Sequence, residues 1–210
     1  MRAHAPAVPT CAKEESMSKL AVLLAILAFV VVGCGGGDEG AEQATGQETT
    51  ATGQVPFDQA FIDAMVPHHR EAIEMARAAN SRGLTQPDLQ KIANDIIASQ
   101  QREIDQMLDW REQWFGSRTP GPVLPDVLGV PESELGMEHG NADEVAGAVD
   151  VDQKFAEMMI PHHDGAIAMA EAAKERAQHE EVKDLAEAII EAQEREIGIM
   201  EEHASGEHHG

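Results

Sequence analysis

The chain has no tyrosine, two tryptophans and five phenylalanines in 210 residues. A core poor in rings must be built from Ala, Ile, Leu, Val and Met, which suits closely packed helices. Basic residues are scarce as well. Fifteen Lys and Arg stand against 38 Asp and Glu, for a net charge of −23. Such a surface repels nucleic acid and attracts cations, so a nucleic-acid partner is excluded. Only two cysteines are present, Cys11 and Cys34, and neither lies in the patterned part of the chain. That leaves no disulfide framework and no thiolate metal site. Any metal ligand must come from His, Met, Asp, Glu, Gln or the backbone. No nucleophile triad, phosphate loop or nucleotide motif is present, and nothing marks a catalytic residue.

Long apolar runs are absent too, except for Leu20 to Val32. That run has the length of a signal-peptide core and is short for a membrane span. Lys19 precedes it, and Gly33-Cys34 closes it. Val31-Val32-Gly33-Cys34 resembles a bacterial lipobox, which implies cleavage after residue 33 and a lipid on Cys34. Residues 1–33 are therefore expected to be a signal peptide, with Met17 as the true start. The mature protein would be extracytoplasmic, anchored to the bacterial membrane by Cys34. Residues 34–55 are Gly, Thr, Gln and acid, and cannot bury enough surface to offset their ordering entropy. They read as a flexible tether.

What the chain does have is a repeat. Met-Val-Pro-His-His at Met65–His69 returns as Met-Ile-Pro-His-His at Met159–His163. Asp58, Phe61, Met65, Pro67, His68, His69, Ile73 and Met75 recur 94 positions later as Asp152, Phe155, Met159, Pro161, His162, His163, Ile167 and Met169. After a one-residue deletion the offset is 93, and Ile96, Gln100, Glu103, Ile104 and Met107 match Ile189, Gln193, Glu196, Ile197 and Met200. This is a duplicated helical hairpin. Repeat 1 spans about 56–115, a Pro- and Gly-rich linker 116–149, and repeat 2 about 150–203. The first helix is expected from about Phe57, with Asp58 as N-cap, and the second from Pro87 to Phe115. Two hairpins with apolar stripes to cover form an all-α four-helix bundle at 56–203. Residues 204–210 are a tail containing His208 and His209.

On a helical wheel Ala72 and Ala76 fall within about 20° of Met65, His69 about 40° to one side and His68 about 60° to the other. Met75 lies roughly 20° from His68. The first helix thus offers Met65 with His69 and His68 with Met75; its counterpart in the second repeat offers Met159 with His163 and His162 with Met169. Pro67 and Pro161 interrupt the backbone ladder beside the histidines, which kinks the helix or starts a new one. On the second helix Gln100 and Glu103 break an apolar stripe, and recur as Gln193 and Glu196. Buried polar groups need partners, and metal-bound histidines usually donate to a carboxylate. These four residues either support the histidines, bind metal themselves or fix helix register.

Di-iron bundles use Glu-x-x-His, which is missing here. In its place the repeats carry Met-x-x-His, as in Met65/His68, Met159/His162 and Met200/His203. A thioether in place of a carboxylate shifts preference from iron and manganese toward copper, above all Cu(I).

The segments FDQAFIDAMVPHHREAIEMA and VDQKFAEMMIPHHDGAIAMA, each followed by a helix ending QREIDQM or EREIGIM, resemble the bacterial domain-of-unknown-function family 305. The resemblance implies a ferritin-like four-helix bundle, usually exported and in some members copper-binding. It implies metal candidates Met65, His68, His69, Met75 and Met107, with counterparts Met159, His162, His163, Met169 and Met200. Three functions follow as expectations. One is a copper-binding lipoprotein that sequesters the metal or passes it to a copper-handling partner. Another is a ferritin-like iron or manganese oxidase or peroxide-handling enzyme. The third is a structural or pH-sensing lipoprotein without metal.

Overall fold

The structure, a computed structural model, describes residues 54–204. The signal segment, Cys34, most of the tether and the last six residues with His208 and His209 lie outside the described residues. Helix α1 spans Phe57–Arg82 and α2 Pro87–Phe115. Two short helices, α3 at Pro125–Leu128 and α4 at Ala142–Gly147, sit in the linker with two 3₁₀ turns at Glu132–Glu134 and Met137–His139. Helix α5 spans Val151–Arg176 and α6 Glu180–Ala204. No strand is present among the described residues. The four long helices form a bundle. Helix α1 packs on its hairpin partner α2 and on α5, which in turn packs on α6. The two first helices of the hairpins are therefore the inner pair.

Proline does not break either inner helix. Helix α1 runs through Pro67 and α5 through Pro161 without interruption. Each proline lacks the N–H that would reach four residues back, so one carbonyl per helix loses its partner inside a continuous helix. Stripe packing holds the helices together across that gap. Met65, Ala72, Ala76 and Ala79 are fully buried on α1, and Met159, Ala166, Ala170 and Ala173 on α5.

Asp58 is not the N-cap of α1. It lies inside the helix, which starts after Pro56, and its buried carboxylate reaches the other hairpin. It accepts from the backbone N–H of Gln178 (2.9 Å) and His179 (3.0 Å) at the start of α6. Its repeat mate Asp152 does the reciprocal work. It accepts from the backbone N–H of Thr85 (3.0 Å) and Gln86 (3.2 Å) and from the Thr85 hydroxyl (2.5 Å) at the start of α2. Each hairpin thus caps the second helix of the other. Helix starts leave unpaired N–H groups and a positive dipole end, so a carboxylate there is favourable on both counts.

The linker is more ordered than its composition suggests. It buries Leu128, Leu135 and Val145 at 0–2% exposure. The linker backbone lies directly on α5 at Gly165, where an added Cβ would come within 2.2 Å of the Leu135 carbonyl oxygen. One buried ion pair has no counterpart in the second repeat. Arg111 Nε donates to Asp63 Oδ1 at 2.5 Å, and Arg111 Nη1 to the Ser117 carbonyl at 2.6 Å. The corresponding positions are Glu157 and Ala204.

Two stability predictions follow from this geometry. Asp152→Ala strands the Thr85 and Gln86 N–H groups and should lower stability by about 1–2 kcal/mol, with Asp152→Asn costing less because it keeps an acceptor. Thermal unfolding followed by circular dichroism measures both; equal Tm values for the wild type and the Ala variant would refute the capping role. Gly165→Ala pushes a methyl into backbone and should cost about 1–3 kcal/mol by the same measurement.

Candidate metal centre

The two Pro-His-His stretches lie at mid-length of the inner helices, so packing α1 on α5 brings them together. All four imidazoles, His68, His69, His162 and His163, are fully buried. The rings of His68 and His162 meet across the interface with centroids 3.7 Å apart, tilted by 35°. His68 and His69, adjacent in sequence, diverge to 6.4 Å.

The outer histidines are each held by a carboxylate from the second helix of their own hairpin. His69 Nε2 lies 2.7 Å from Glu103 Oε2, and His163 Nε2 lies 2.8 Å from Glu196 Oε2. In the neutral ring Nε2–H donates to the carboxylate, which leaves the lone pair on Nδ1. Neither Nδ1 has a partner. His68 and His162 have no partner on either ring nitrogen. Six buried imidazole nitrogens therefore lack a well-formed hydrogen bond, although backbone at Leu135 and His162 lies close enough to His68 to favour its protonated form. One turn before each glutamate, Gln100 and Gln193 are buried as well, each with an unpartnered side-chain oxygen. A buried polar atom without a partner costs about 1–3 kcal/mol, so this concentration at one level of the bundle needs an occupant or a function.

Protonation is suppressed at the centre. Burial, and then the neighbouring His69 and His163, hold the His68 pKa well below its ordinary 6.5, against a weaker upward pull from backbone at Leu135 and His162. Burial first, and then His68, His163, His69 and His139, lower that of His162 in the same way. Both rings are free bases at neutral pH, the state a metal requires.

The six candidate methionines are all fully buried, but they are not grouped by repeat. Met65 and Met107 of the first repeat pack in one apolar cluster with Met169 of the second. Met159 and Met200 of the second pack in the other with Met75 of the first. The duplication thus yields two clusters, each with three of the candidate thioethers and each mixed between hairpins. The third Met-x-x-His pair is divided: Met200 stays in the second cluster, while His203 Nε2 lies 3.0 Å from Asp88 Oδ2. Met137 packs against the first cluster and His139 is exposed. Among the described residues no three His, Cys, Asp or Glu side chains are already drawn into one metal-binding group. A complete ligand set therefore needs thioether, water or ring rotation.

Sequence reasoning missed Glu71. Its Oε2 is buried without a hydrogen bond and lies 3.7 Å from His162 Nε2. Burial, and then the charge of Glu74, raise its pKa to about 7. The signal was present in the repeat alignment, where Glu71 faces Gly165 across the 94-residue offset.

The depressed histidines make the metal-free protein acid-sensitive, against an opposite contribution from Glu71, whose raised pKa favours the fold as pH falls. Above pH about 6.5 these rings are neutral both folded and unfolded and contribute no pH dependence. As pH falls below that, the unfolded chain binds protons that buried His68 and His162 refuse, so stability is lost toward the lower folded pKa. Chemical denaturation at pH 7.5 and 5.5 should show the loss. It should be smaller in His68→Gln/His162→Gln, which removes both titrations; an identical loss in that variant would contradict the assignment.

The family profile described as "Domain of unknown function (DUF305)" matches residues 58–204. The fold is similar to solved structures of CopM. Its Cu(II)-bound form is 36% identical, with 71% of this chain and 96% of that chain covered and a TM-score of 0.59. Its Cu(I)-bound form is 36% identical, with 69% and 93% covered and a TM-score of 0.56. A DUF305 fragment from Deinococcus radiodurans is 28% identical, with 70% and 94% covered and a TM-score of 0.57. A shorter match, 40% identical over 50 residues, links 24% of this chain to 32% of uncharacterized protein L153 of Acanthamoeba polyphaga mimivirus, so the chain spans about a third of that protein. With the profile running from Asp58 through α6 and the helical bundle in place, this chain belongs to the DUF305 family.

Proposed function

We propose that the protein is an extracytoplasmic copper-binding lipoprotein that sequesters the metal or hands it on, held at the membrane through Cys34. The observation that carries this reading is the buried layer of four histidines, with six unpartnered ring nitrogens, at the crossing of α1 and α5. Neutral imidazole and thioether are soft donors that suit Cu(I). The thioethers of Met65, Met107 and Met169, and of Met159, Met200 and Met75, are the partners for these rings. Glu103 and Glu196 orient His69 and His163 and raise their donor strength. The net charge of −23 draws cations to the surface. The similarity to CopM, solved with Cu(I) and with Cu(II), supports copper over iron or manganese. No helix among the described residues is long and apolar enough to cross a membrane. A copper-handling protein would be the partner that receives the metal.

Anaerobic Cu(I) titration against a competing chelator tests the reading. Replacing His68, His69, His162 and His163 together with Ala should weaken Cu(I) binding by about 100-fold or more while helicity by circular dichroism is retained. Unchanged affinity would refute the copper reading. Iron or manganese binding in preference to Cu(I) would transfer the case to a ferritin-like oxidase. Met65→Leu/Met107→Leu/Met169→Leu separates ligand from filler, because Leu conserves volume at a cost under about 1.5 kcal/mol per site. Cu(I) affinity should fall about tenfold in that variant with little change in Tm; unaltered affinity would make these three methionines core filler.

A further inference from the structure

The two hairpins stop being equivalent at the metal centre. Position 71 is Glu, and its repeat mate is Gly165. The linker uses both. Its Leu135–Gly136 backbone lies on Gly165. A few residues further on, Gly140 presses on the Glu71 side chain so closely that an added Cβ would be 2.5 Å from Oε2. Glu71 is thereby held between the linker and His162. The result is a pair of unpartnered donors facing each other, Glu71 Oε2 and His162 Nε2, 3.7 Å apart.

That separation is too long for a hydrogen bond. Two metal–ligand bonds of about 2.0 Å span it at an angle of roughly 135°. The donors differ in kind from those of the thioether clusters: an anionic oxygen and an imidazole nitrogen form a harder set, which favours Cu(II) over Cu(I). Grooves flank the linker, one lined by Glu134, His139, Pro161 and Asp164, the other by Glu74, Met137 and Glu138. The His68 ring, tilted by 35° to that of His162, lies beside the pair.

We propose that Glu71 and His162 form a Cu(II) site on the linker side of the bundle, in which the Glu71 carboxylate is a donor that the thioether-based Cu(I) sets lack. The inference rests on the copper-binding reading above.

The test uses the full chain, wild type and Glu71→Gln, with Cu(II) titrated against a competing chelator and followed by electron paramagnetic resonance. Cu(I) is titrated anaerobically in parallel. Glutamine is isosteric and cannot supply the anionic oxygen, and Glu71→Asp provides a second variant whose carboxylate is withdrawn by one methylene. The expected result is Cu(II) binding weakened about tenfold or more in Glu71→Gln, with an altered spectrum, and Cu(I) affinity unchanged. Glu71→Asp should show an altered Cu(II) spectrum at an intermediate affinity. Unchanged Cu(II) affinity and spectrum would overturn the site while leaving the copper reading intact. Equal weakening of both oxidation states would overturn the division of donors. A wild-type chain that binds neither form of copper would refute the copper reading itself, and this site with it.

Discussion

The structure depends on burying four imidazoles at one level between two helices. Few residues are less suited to a dry interface without partners, and only two of these rings have a carboxylate to hold them. The surrounding design compensates by packing alanine and methionine tightly above and below. Small alanines let α1 and α5 approach, and flexible methionines fill the irregular space beside flat rings. The same side chains that close the core are thioethers, the proposed soft donors.

The pseudo-twofold arrangement follows from that central layer. If the histidines of both hairpins must meet, the first helices must be the inner pair, and the second helices are placed outside them. Asp58 and Asp152 then fall beside the opposite hairpin's turn and cap α6 and α2. The methionines follow the same exchange, with Met75 crossing to Met159 and Met200, and Met169 to Met65 and Met107. Neither hairpin can complete its helix caps or its thioether cluster alone. Folding is therefore tied to the association of the two halves.

The linker breaks the symmetry. It can lie against only one of two equivalent faces, and it lies on the one where the repeat carries Gly165 instead of a side chain. The other repeat keeps Glu71 at that position, pressed toward His162. A duplicated gene product thus acquires two unequal sides at its centre.

Much of this was legible in the residues. The 94- and 93-residue offsets define the duplication, and helical spacing with Pro87 and Gly116 at its ends brackets α2 at the residues observed. The pairing of glutamates with histidines was also readable, because Glu103 and Glu196 interrupt apolar stripes at matching places. Periodicity is a local property, and it marks which face of a helix is buried. What it does not carry is the identity of the partner across the interface. That Asp58 caps a helix 120 residues away, that Met75 joins the second repeat's cluster, that Pro67 sits within an unbroken helix, and that a glycine-rich linker is packed onto α5 were all decided by tertiary contact. Local sequence determined the helices, their buried faces and the donor types. The tertiary structure decided which donors meet, because that depends on how two similar surfaces dock and on which of them the linker covers.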